Sequence, residues 1–91
     1  MIWQAEVRIQ LKRSILDPAG EAVRRSLQQL GHEEVRQVHI GKLIQLHFEA
    51  PDEATAQAAL EEMCRKLLVN PVLEQYETSL RQVDEKAGLQ A

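Results

Sequence analysis

Residues 3–12 read W-Q-A-E-V-R-I-Q-L-K, and this alternation constrains the fold more than any other stretch of the chain. Trp3, Ala5, Val7, Ile9 and Leu11 share one parity; Gln4, Glu6, Arg8, Gln10 and Lys12 share the other. Successive side chains on a strand point to opposite faces, so the pattern predicts a half-buried strand with one wet face.

The other elements are read from caps, stripes and breakers. Asp17-Pro18 predicts a helix start. The carboxylate accepts from amides that lack a partner inside the helix, and Pro has no N–H to leave unsatisfied there. Val23, Leu27 and Leu30 follow at helical spacing beside Ala19 and Ala22, and Gly31 suits a left-handed C-terminal cap, so the helix spans 18–30. Val35 to Ile40 and Leu43 to Ala50 read as two strands, and Gly41-Lys42 between them suits a type II′ hairpin turn. Asp52 caps a second helix whose apolar stripe is Ala56, Ala59, Leu60, Met63, Cys64 and Leu67. Asn70-Pro71 stops it, because Pro disfavours helix in the residue before it. Val72 to Leu80 reads as the last strand, with Tyr76, Thr78 and Leu80 on one face.

The order β-α-β-β-α-β with right-handed crossovers predicts an α+β, ferredoxin-like fold: a four-stranded antiparallel sheet with two helices on one face. Residues 1–80 form its single domain and 81–91 a polar tail, either frayed or a short helix that docks on a partner. This architecture hosts many unrelated activities and does not settle function.

Composition narrows the classes. A chain of 91 residues is one domain, with an expected radius of gyration of about 12 Å. Hydrophobic residues make up 44%, but Trp3, Phe48 and Tyr76 are the only aromatics, so the core is aliphatic and thin. Such a core favours an oligomer or complex subunit over a solitary enzyme. Charged residues at 27%, with few Gly and Pro, speak against disorder. No apolar run approaches about 18 residues, so no membrane span is expected. The single Cys64 cannot form an internal disulfide, and no targeting signal is apparent, which predicts a cytoplasmic protein. A net charge of -3 gives no electrostatic invitation to nucleic acid.

Candidate chemistry is sparse. His39 and His47 would neighbour each other on the predicted hairpin, but a third metal ligand at suitable spacing is lacking. Cys64 has no CxxC partner and falls in an apolar stripe, which suits a packed thiol better than a nucleophile. Phosphate-cradling glycine loops are absent. Glu33-Glu34, Glu61-Glu62 and Asp84-Glu85 are adjacent pairs that do not face one site, and Asp17 is better explained as a cap than as an acid. Lys12-Arg13-Ser14 supplies cations for acylphosphatase-type chemistry without an identifiable asparagine partner. No catalytic, cofactor-binding or metal-binding set is predicted. The wet sheet face, with Gln4, Glu6, Arg8, Gln10, Gln37, His39, Gln45, His47, Glu49, Gln75 and Glu77, lacks the aromatics on which RNA bases stack. It is either solvated surface or a wet interface with another sheet.

Several segments together resemble one family: Leu16-Asp17-Pro18 with Gly20 and Ala22-Val23, Leu30-Gly31, Val35 and Val38, Ile40-Gly41-Lys42, and the run from Met63 through Asn70-Pro71 to Tyr76. The ordered set, from about Ala5 to Leu80, resembles the PurS-type small subunit of phosphoribosylformylglycinamidine synthase. His39 stands where that family's pattern has arginine. The resemblance implies a non-catalytic assembly subunit in de novo purine biosynthesis. It would bridge a glutaminase subunit and a large ATP-dependent synthetase subunit and support ammonia transfer. ATP and Mg would be used by the large subunit, with no cofactor on this chain. A homodimer or homotetramer is implied for the free form. Lys12, Arg13, Gly41 and Lys42 are candidate subunit-interface residues, the alternative being a tight turn with solvating cations. The runner-up function is an ACT-type regulatory module that binds a small molecule.

Overall fold

The structure, a computed structural model, describes residues 1–84. The alternating stretch forms β1 (Ile2–Leu11), and its apolar parity is buried: Trp3, Ala5, Val7 and Ile9 are all within 6% exposure. β2 (Gly41–Glu49) and β3 (Glu74–Val83) pair antiparallel with β1 on either side, giving the order β2-β1-β3. The register places Phe48, Leu46 and Ile44 beside Trp3, Ala5 and Val7 on one flank, and Leu80, Thr78 and Tyr76 beside Ala5, Val7 and Ile9 on the other. The Trp3 indole N–H donates to the Ala50 carbonyl at 3.1 Å, satisfying a buried donor.

Helix α2 (Glu53–Met63) covers this apolar face. Asp52 caps it, accepting from the Thr55 N–H at 2.7 Å. Ala56, Leu60 and Cys64, four apart, are fully buried. The helix then widens into a π-helical turn (Cys64–Leu68), closed by the Val69 N–H donating to the Cys64 carbonyl at 3.0 Å. The extra residue shifts the phase of the stripe. Val69 is buried in place of Leu67, which is 83% exposed, so the expected membership of Leu67 in the stripe is corrected. Asn70-Pro71 ends the helix as expected. The Asn70 carboxamide oxygen accepts from the Val72 N–H at 3.0 Å, and its carbonyl accepts from the Glu74 N–H at 2.8 Å.

Helix α1 (Pro18–Gln29) starts where Asp17-Pro18 predicts and ends before Gly31, whose φ of 105° lies in the left-handed region. Its position does not follow the expectation. The sheet has three strands, not four, and in α1 only Gly20 is buried, whereas α2 buries Ala56 and Leu60. Residues 35–40 form no strand with β2, and the hairpin at Gly41-Lys42 is absent. Gly41 is already strand, opposite Gln10, and lacks a positive φ. Its glycine has another cause: a Cβ there would lie 2.2 Å from the Ile9 carbonyl oxygen. Close approach to β1, rather than a chain reversal, selects Gly.

Residues 35–40 are instead bound to α1. Asp17 accepts from the Gly20 N–H and the Ile40 N–H, both at 2.9 Å, and Gln28 donates to the Val35 carbonyl at 2.9 Å. A Cβ on Gly20 would lie 2.2 Å from the Val38 carbonyl oxygen, so glycine lets the strap touch the helix. Val38 lies against the start of α1 and Val35 against its end, so the strap runs antiparallel to α1, and the two form an arm beyond the sheet. The radius of gyration is 17.0 Å and the longest extent 51 Å, against about 12 Å for a compact chain of this length.

The last strand also differs in its limits. It begins at Glu74 rather than Val72 and continues through Arg81 to Val83, past the expected start of the tail. Residues 85–91 of that tail lie outside the described residues.

Candidate functional site

The sequence candidates gather at one end of the sheet, where β1 leaves and β2 enters. Lys12 lies just past β1, its N–H donating to the Leu73 carbonyl at 2.8 Å. Arg13 is exposed and donates to Gln10 Oε1 at 3.3 Å. Gly41 lies opposite Gln10 and Lys42 opposite Ile9. Lys42 Nζ is 3.6 Å from Glu74 Oε2, with the lysine side chain well exposed. Gly41 and Lys42 border an open groove of about 570 Å³ shared with Arg8, Gln10, Leu43, Gln75 and Glu77, and Lys12 and Arg13 lie outside it. Arg8 and Glu77 face each other at 3.9 Å across its wet side. Exposed apolar side chains lie at this end: Ile40, Leu43, Val72 and Leu73. Mixed charge with exposed aliphatic residues is the chemistry of a contact surface.

The wet face is largely as read. Gln4 pairs across to His47, Glu6 to Gln45 and Gln10 to Gln75. Gln37 and His39 are not on it, because the strap left the sheet. Gln4 is nevertheless 8% exposed and accepts from Arg81 at 2.7 Å, and His47 Nε2 is buried without a hydrogen-bond partner among the described residues. His39 and His47 are not brought together. Among the described residues, no three His, Cys, Asp or Glu side chains form a group that could hold a metal ion.

Cys64 lies under α2, fully buried, and burial pushes its thiol up, with the Glu61 charge adding to the effect. A thiol held protonated is packing material rather than a nucleophile. Beside it, the Tyr76 hydroxyl donates to Glu61 Oε2 at 2.8 Å, and that bond raises the phenol above its usual range. This link between β3 and α2 escaped sequence reading, because nothing in local spacing joins partners 15 residues apart on different elements. The carboxylates with shifted titration have structural explanations. Asp17 is held below the usual range by the Gly20 and Ile40 amides, Asp52 by the Thr55 amide, Glu21 by Arg24 and Glu62 by Lys66.

Fold and site together define a class: a small α+β chain with an open sheet face, free strand edges and apolar side chains placed for contact. The family model for PurS, phosphoribosylformylglycinamidine (FGAM) synthase, matches residues 4–82. The chain is 53% identical over 74 residues to phosphoribosylformylglycinamidine synthase subunit PurS of Synechocystis, covering 81% of this chain and 74% of that one. It is similar to the crystal structure of PurS from Methanocaldococcus jannaschii, described as one of the subunits of formylglycinamide ribonucleotide amidotransferase in the purine biosynthetic pathway. There the TM-score is 0.80 at 35% identity, over 90% of this chain and 99% of that one. A chain in the structure of PurLQS from Thermotoga maritima matches with a TM-score of 0.82 at 31% identity, over 89% of this chain and 99% of that one. The chain belongs to the PurS family of phosphoribosylformylglycinamidine synthase subunits.

Proposed function

We propose that this chain acts within its synthase as a non-catalytic assembly subunit in the cytoplasm. It bridges a glutaminase subunit and a large ATP-dependent synthetase subunit, and it is a homodimer or homotetramer when free. The observation that carries this reading is the family match across residues 4–82, over a fold in which Asp17 and Asp52 cap helices and Lys42 lies beside Glu74. ATP and Mg belong to the large subunit. Free ammonia is a nucleophile and ammonium is not, so a complex that passes ammonia between active sites gains rate by excluding water from the route. Contact surface is enough for that task. No helix among the described residues is long and apolar enough to cross a membrane, which agrees with action beside dissolved partners.

Within this reading, Lys12, Arg13, Gly41 and Lys42 contact the large subunit. The triple variant K12E/R13E/K42E is expected to keep its own fold and lose co-sedimentation with the large subunit in analytical ultracentrifugation. Undiminished co-sedimentation would remove these residues from the interface. Failure of the unaltered chain to associate with either partner would overturn the reading itself.

A further inference from the structure

We infer that the groove between the loop after β1 and the strap is a binding site for a small phosphate monoester of the sugar-phosphate class, held by Arg13, Ser14, Arg36 and His39. The site belongs to the chain itself and stands whether or not partner subunits bind.

The first ground is a local reversal of charge. The groove, of about 420 Å³, is bordered by Arg13, Arg24 and Arg36 and by two carboxylates, Asp17 and Glu21. Cations thus outnumber anions here in a chain whose net charge is -3. Both carboxylates are already committed. Asp17 accepts from the Gly20 and Ile40 amides. Glu21 is gripped by two nitrogens of Arg24, whose third donates to Gln28 at 2.9 Å. What is left over is cationic. Arg13 donates only to the neutral Gln10 side chain, and Arg36 makes no hydrogen bond or ion pair among the described residues.

The second ground is the set of donors that meet there. Ser14 lies in the turn closed by the Ile15 N–H donating to the Lys12 carbonyl at 2.9 Å. Among the described residues, neither its amide nor its hydroxyl has a partner. His39 brings an imidazole from the strap side. Two guanidinium forks, a hydroxyl and an imidazole suit a dianion with three terminal oxygens, because arginine pairs with phosphate through parallel hydrogen bonds.

The third ground is size and shape. Small-ligand clefts run from about 300 to 1,000 Å³, and this groove falls within that range. Ile15, Leu16 and Val38 give part of its wall an apolar surface, which suits the C–H face of a sugar ring. The cations lie in one recess rather than along a stripe, and an acidic chain repels a long polyanion. The phosphate is therefore the terminal group of a small molecule and not a nucleic-acid backbone.

The test is titration of the full, isotope-labelled chain with ribose 5-phosphate and with ribose, at fixed ionic strength, followed by amide chemical shifts in NMR. Saturable shifts at Arg13, Ser14 and residues 36–39 are expected with ribose 5-phosphate, and none with ribose. Arg36→Gln is expected to raise Kd about tenfold, through loss of one charge-assisted pair. Arg36→Lys, which keeps the charge, should raise it less. Arg36 is exposed and has no partner among the described residues, so its loss leaves no described group unpaired. Arg65→Gln, exposed on the π-helical turn and outside the groove, should leave Kd unchanged. These variants leave Arg13, placed at the subunit interface above, untouched. Shifts that do not saturate, saturable shifts elsewhere, or equal weakening by Arg36→Gln and Arg65→Gln would each overturn the site. Co-sedimentation with the synthase partners reads the assembly role separately. Association without phosphate binding discards the site and leaves that role, and phosphate binding without association does the reverse.

Discussion

The two halves of this molecule are built by different rules. In the half made of the sheet and α2, backbone pairing and apolar burial coincide: Val7, Ile9, Leu60 and Cys64 are enclosed, and β1 is paired on both sides. In the arm, the polar tethers are complete while the apolar stripe is uncovered: Asp17 and Gln28 hold the strap, yet Leu30 is 77% exposed. Hydrogen bonds can fix a local shape, but the free energy that keeps a domain folded comes mostly from burial. The first half carries its own core; the second holds its shape by hydrogen bonds and leaves its apolar stripe open.

The largest contrast should appear in core truncations. Leu60→Ala is expected to cost about 3 kcal/mol by urea denaturation, from lost burial plus a cavity. Leu30→Ala should cost under about 0.5 kcal/mol in dilute chain. A cost at Leu30 that grows with protein concentration would report its burial by a second copy. Next come the glycines. Gly41→Ala sets a methyl against the Ile9 carbonyl and should cost roughly 1–3 kcal/mol. Gly31→Ala, open around its Cβ but left-handed, should cost about 1 kcal/mol. A reversed order would mean that strand and arm are joined differently from the description above.

Smaller effects separate the halves further. Asp17 and Asp52 titrate below the ordinary aspartate value of about 3.9, Asp17 held down by the Gly20 and Ile40 amides and Asp52 by the Thr55 amide. Their stabilising contribution is present above that value and is lost as pH falls through the lowered one. Loss of the Asp17 bonds should release the strap before the sheet unfolds, seen by hydrogen exchange at Ile40 during acid titration. Simultaneous release of arm and sheet would remove the distinction between them. Cys64 should resist thiol reagents until the sheet half unfolds, and labelling in the native protein would mean that α2 opens readily.

How much of this could be read in advance follows from which signals are local. The alternation in Trp3–Leu11, the caps Asp17 and Asp52 and the stop at Asn70-Pro71 act within a few residues of themselves, and each stands where it was read. The strap was not legible. Val35 to Ile40 carries strand residues whether it pairs at home or elsewhere, and Gly41 is selected equally by a positive φ and by a backbone pressed against it. Only the neighbouring strand decides between those causes. The π-turn was hidden for a similar reason: one extra residue in the helix moves Leu67 out and Val69 in without changing composition. Of the site residues, Lys12, Arg13, Gly41 and Lys42 proved to share one end of the sheet, whereas His39 and His47 depended on the hairpin and parted with it.

The most direct measurement is glutamine-dependent formation of formylglycinamidine ribonucleotide by the purified glutaminase and large synthetase subunits, with and without this chain, alongside the chain alone. The account requires turnover that depends on adding the chain, and none from the chain by itself. Turnover by the isolated chain, or full activity from the partners in its absence, would contradict it.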